Sequence, residues 1–97
     1  MSFDEFCRSA TAGAAGPPAG TGLALQALWH DALGDWDRAH ACAQEEIGRD
    51  GAWVHAYLHR KEGDLDNAAY WYQRANRPVA AGALSQEWEG IVRALIR

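Results

Sequence analysis

Gly34-Asp35-Trp36-Asp37-Arg38-Ala39 returns about 29 residues later as Gly63-Asp64-Leu65-Asp66-Asn67-Ala68. The same offset lays Leu25 to Glu45 on Val54 to Arg74 and drops His30 onto His59. Ahead of the first Gly-Asp pair, Leu25, Leu28, Trp29 and Ala32 recur at i, i+3, i+4 and i+7, the spacing of one helical face. Glycine stops such a helix in the left-handed conformation that costs it least, and the following aspartate caps the next one. Asp37 then falls in a first turn, where the helix dipole favours an anion. A fixed period of roughly 20 to 50 residues built in this way predicts helical hairpins repeated in tandem.

Working outward, Trp36, Ala39, Ala43 and Ile47 form the stripe of the second helix, and Gly48 to Gly51 reads as a break. Val54, Tyr57 and Leu58 open a third helix that Gly63 ends. Leu65, Ala68, Ala69, Trp71, Tyr72 and Ala75 give the fourth helix a face wide enough to touch more than one neighbour, and Pro78 ends it. Ser85 is placed to cap a last helix, with Trp88, Ile91, Val92 and Leu95 on one side and Arg93 and Arg97 near its C-terminus. At the other end, residues 1 to 9 suit a short helix carrying Phe3, Phe6 and Cys7. Gly13 to Gly22, with Gly16-Pro17-Pro18-Ala19-Gly20 inside it, suits a linker.

The expected fold is therefore all-α. Residues 1–22 form a short helix and a Gly/Pro-rich linker, and residues 23–97 form two antiparallel helical hairpins with a C-terminal capping helix. Leu28, Trp29, Trp36, Ala39, Leu58, Leu65, Ala68 and Tyr72 are the expected core. The Trp88 helix and the Phe3/Phe6 segment are expected to cap opposite ends, since two hairpins fall short of the three repeats that normally close a solenoid.

Composition narrows the function. The chain has 97 residues, nearly half of them apolar, and a net charge of −4. One modest core is the most that this length supports. The acidic balance argues against a nucleic-acid surface. No run of eighteen apolar residues spans a membrane, and the acidic start lacks the pattern of a secretory signal. Cys7 and Cys42 show no CxxC spacing and read as reduced thiols of a cytoplasmic protein.

Gly63-Asp64-Leu65-Asp66-Asn67-Ala68-Ala69-Tyr70-Trp71-Tyr72-Gln73-Arg74-Ala75 resembles the turn and second helix of a tetratricopeptide or SEL-type repeat. Gly34-Asp35-Trp36-Asp37-Arg38-Ala39 repeats its first half. The resemblance covers roughly Leu23 to Pro78, and it implies antiparallel helix pairs stacked in a short right-handed superhelix that binds protein. The chain departs from that pattern in its shorter period, in His30 and His59 where the first helix carries an aromatic, and in Asn76-Arg77-Pro78, which the first unit lacks. The blocks Trp29 to Asp37 and Ala52 to Asp64 are also similar to those of a small bacterial family, a likeness that brings no mechanism.

The histidines are the sharpest chemical signal. His55 and His59 lie one turn apart on a helix face, Glu62 continues their stripe, and His30 holds the position equivalent to His59. Convergence of His30, His55, His59 and Glu62 would supply the ligand set of a small-molecule or zinc-like site, in a binding protein or an enzyme. The favoured expectation is packed, hydrogen-bonded histidines with no metal and no cofactor, because HxxxH alone is a weak motif and lacks the glutamate of zinc peptidases. The acidic turns resemble a calcium loop but lack its later Gly and Glu, so they read as helix caps. The five tryptophans read as core, and Arg60, Lys61, Arg74 and Arg77 as a solvated face. No catalytic residue is singled out. The chain reads as a non-catalytic helical scaffold for another protein or for a second copy of itself, with no nucleic-acid or membrane partner.

Overall fold

A computed structural model describes residues 1–12 and 14–96. Gly13 and Arg97, expected in the linker and in the last helix, lie outside the described residues. The rest is all-helical: α1 (Phe3–Thr11), α2 (Leu23–Ala32), α3 (Trp36–Glu45), α4 (Arg49–Glu62), α5 (Leu65–Ala75) and α6 (Leu84–Leu95). None of these helices is long and apolar enough to cross a membrane.

The two Gly-Asp turns close their hairpins with the same bonds. Gly34 and Gly63 have φ of 81° and 90°. In the first turn the Gly34 N–H donates to the Asp31 carbonyl and the Asp35 N–H to that of His30. In the second, Gly63 donates to Arg60 and Asp64 to His59. This paired pattern satisfies carbonyls that a helix end otherwise leaves bare. Each aspartate then turns its carboxylate to the next helix, accepting the Arg38 N–H at 3.1 Å and the Asn67 N–H at 3.3 Å. Asn76 supplies a third left-handed stop, at φ 58°, so α5 ends there and Pro78 merely follows.

α4 is the centre of the molecule, packing against α2, α3, α5 and α6. The main core joins Phe6, Leu25, Leu28, Trp29, Ala39, Val54, Leu58, Ile91 and Val92, and a smaller cluster of Ala56, Ala68 and Tyr72 sits between α4 and α5. Ala39 and Ala68 are buried at equivalent places in the two hairpins, as short side chains at a close helix crossing should be.

α1 and α6 do not cap opposite ends. α6 lies against α2 and α4, and the rings of Phe3 and Phe6 each stand 6.0 Å from that of Trp88. The two terminal segments meet at these rings, and both pack on α2. Polar bonds fix the arrangement: the Trp88 indole N–H donates to the Leu28 carbonyl at 3.1 Å, Arg60 pairs with Glu87 at 2.9 Å, and the Tyr72 hydroxyl also donates to Glu87. Between α2 and α4, the buried Asp31 carboxylate accepts from the Tyr57 hydroxyl and from Lys61, both at 2.8 Å.

Four further expectations change. Leu65 is 64% exposed, because among the described residues no other helix packs along that side of α5. Ile47 is 96% exposed, because α3 has already ended at Glu45. Ser85 caps nothing: α6 starts at Leu84 after Ala83, with no side-chain cap. Gly51 belongs inside α4, where a Cβ would strike the carbonyl oxygen and side chain of Glu46.

Two glycine substitutions should therefore behave differently in urea melts. Gly63 has open space around it, so Gly63→Ala should cost about 1 kcal/mol through backbone conformation alone. Gly51→Ala must move the α3–α4 connection and should cost about 1–3 kcal/mol, as overpacking does. Equal, negligible costs would contradict both placements.

Candidate functional site

α3 and α5 flank α4, and their stripes decide what its histidines meet. On α3, Trp36 and His40 stand one turn apart with rings stacked at 4.8 Å and 10°. The Trp36 indole N–H donates to the Leu58 carbonyl at 2.9 Å, pinning this edge of α3 to α4. On α5, Trp71 stacks on His55 with centroids 3.9 Å apart. His40 and His55 are thus each held by an indole face, a contact that does not use their ring nitrogens.

Three imidazoles meet there. The Nε2 atoms of His40 and His55 lie 2.9 Å apart, so one ring donates and the other accepts. The His59 ring is 4.7 Å from that of His55 and 5.2 Å from that of His40. One ligand atom from each of the three lies within 4.8 Å of the others. His55 and His59 are 4% and 6% exposed, whereas His40 is half-buried. The Nδ1 of His59 is buried with no hydrogen-bond partner, and the closest carboxylate oxygen, Glu62 Oε2, stands 3.5 Å away.

The electrostatics follow from dryness. Burial, then the neighbouring His40 and His59, pushes the His55 pKa down to about 4. Burial likewise lowers that of His40, with His59 adding to the effect. These two rings are therefore neutral at neutral pH, each with one N–H and one lone-pair nitrogen. A cleft of ≈ 550 Å³ reaches His55 from outside, lined also by Glu46, Arg49, Trp71 and Arg74.

Of the residues singled out in the sequence, His55, His59 and Glu62 come together and His30 does not join them. His30 is buried on α2, edge-on to Trp29 at 5.2 Å, with its pKa lowered by burial. Its place is taken by His40, because α3 lies between equivalent helices and turns its own stripe to α4. The signal was legible as Trp36-x-x-x-His40, an aromatic and an imidazole one turn apart beside the buried Ala39 and Ala43.

The other candidates disperse. Arg60 and Lys61 are bound to Glu87 and Asp31, while Arg74 lies over Tyr70 and Trp71 and Arg77 over Trp53. Cys7 and Cys42 are free thiols whose pKa burial raises, so neither is an activated nucleophile. Comparison with protein-family models, with curated proteins and with solved structures returned no match.

The lowered His55 value makes stability pH-dependent. A histidine whose folded pKa lies below its unfolded value of about 6.5 favours folding above that pH, and this contribution fades as pH falls toward the folded value. His40 of α3 and His59 of α4 itself face the ring and oppose added positive charge, while Glu46, Arg49 and Arg74 line the cleft beside it. Urea melts should show the protein about 2 kcal/mol less stable near pH 5 than near pH 7.5 on this account, with the loss largely absent in His55→Gln. An acid-insensitive wild type would contradict the dry site.

Proposed function

We propose that the protein is a non-catalytic helical scaffold of the tetratricopeptide-like kind that binds protein through the bare edge of α5, and that a second copy of the chain occupies this edge. One observation carries the reading. Trp36 and His40 of α3 meet α4, and at the repeat offset their counterparts on α5 are Leu65 and Ala69, both exposed. α5 thus presents the face against which a following helix would stack, and among the described residues no helix covers it.

The chemistry of the edge supports self-pairing. Leu65 and Val79, each 64% exposed, lie toward its two ends, so an antiparallel two-fold contact sets the leucine of one copy near the valine of the other. Ala69 stands between them, short enough for two helices to approach closely, as Ala39 and Ala68 allow within the hairpins. A two-fold contact of this type uses the same patch on both copies. A single helix pair buries little area, so the association is concentration-dependent.

Sedimentation equilibrium tests it. The wild type should shift toward dimer as concentration rises, and Ala69→Arg, which sets two guanidinium groups against each other, should remain monomeric with unchanged helical circular dichroism. A wild type monomeric throughout would overturn the self-pairing.

A further inference from the structure

We propose that His40, His55 and His59 form a binding site for a zinc-class transition metal ion, with Glu62 behind His59 as its supporting carboxylate. The site is independent of the α5 edge.

Geometry leads the case. His55 and His59 sit at i and i+4 on one helix, the spacing by which a single helix offers two imidazoles to one ion. His40 comes in from a second helix, with its Nε2 2.9 Å from that of His55. Two nitrogens at about 2.0–2.1 Å from a tetrahedral ion lie roughly 3.3 Å apart. The His40–His55 pair therefore opens by a few tenths of an ångström, and His59 closes in from within 4.8 Å. In the metal-free form one of the two Nε2 atoms carries a hydrogen. Binding moves that hydrogen to the Nδ1 of the same ring, so both rings present lone pairs and neither changes charge.

The surroundings suit an ion better than a packed trio. Stacking against Trp36 and Trp71 fixes two rings by their faces, holding them in place without using their nitrogens. His59 is nine-tenths buried, yet its Nδ1 has no hydrogen-bond partner. A buried polar atom in that state normally costs about 1–3 kcal/mol. Glu62, 3.5 Å from this atom, is placed where metal-bound histidines keep a carboxylate on the nitrogen opposite the ion. Imidazole donors suit zinc, copper, nickel and cobalt, and exclude calcium and magnesium, which take oxygen. Three protein ligands leave a fourth position, and the cleft at His55 gives access for water or a small ligand.

The experiment uses the untagged full chain after chelation and dialysis, titrated with Co²⁺ and then with Zn²⁺. One Co²⁺ per chain should bind with the visible d–d bands of a four-coordinate site holding three nitrogen ligands, and quench the fluorescence of the stacked indoles. Zn²⁺ should displace it and raise the melting temperature. His40→Ala, at the half-buried ligand, should abolish the bands, Glu62→Gln should weaken binding about 10–100-fold, and His30→Ala should change nothing. Absence of cobalt bands and of a zinc-dependent melting shift in the wild type overturns the proposal, whatever the variants do. So does binding that survives unchanged in both His40→Ala and His59→Gln.

Discussion

Nearly every residue of α4 from Gly51 to His59 is buried, and this dryness is the constraint that the other helices answer. A helix enclosed by four neighbours would ordinarily be apolar all round. This one carries His55, Tyr57, His59 and Arg60. Each polar atom there loses water and must be bonded by a neighbour or raise the energy of the fold. The partners come from different sides: Asp31 of α2 for Tyr57, Glu87 of α6 for Arg60, His40 of α3 for His55. The polar groups of α4 therefore specify which face meets which helix, while its apolar groups supply the burial that holds them together.

What the chain reveals in advance is what its local chemistry decides. A glycine that must turn left-handed and an aspartate that must cap are forced by neighbours one or two positions away, so both hairpin turns can be read directly. The buried stripes of α1 and α6 are legible for the same reason. Their partner is not, because an amphipathic stripe records that a face is buried and not what buries it. Thus Phe3, Phe6 and Trp88 read equally well as caps at two ends and as one cluster on α2.

The misplacements share one physical source. Leu65 repeats Trp36 by position, but Trp36 is covered by the next hairpin, and among the described residues no hairpin covers Leu65. His30 repeats His59 by position, yet the helix between them sets His40 beside His59 instead. A repeat offset transfers local conformation reliably and tertiary neighbours only where the number of units is the same on both sides. With two units, the outer helices lack a neighbour that the inner ones have. Ile47 is a separate case: the stripe continued on paper after the helix had stopped.

The histidine trio is also tied to α5. Trp71 is the residue of α5 that stacks on His55, and Ala68 and Tyr72 complete the contact of that helix with α4. Any change that turns the His55 ring must move the indole or break the stack, so the chemistry at His55 and the placement of α5 are coupled through a single contact. Stability alone gives no reason for imidazoles there. Phenylalanine in the same space would keep the stacking, remove the desolvation that lowers the histidine pKa values, and leave no orphaned Nδ1. Buried polar groups replaced by apolar ones of like shape are often neutral or stabilising exchanges. Three imidazoles at one point, two of them held by indole faces, are therefore the feature on which the proposed metal site rests.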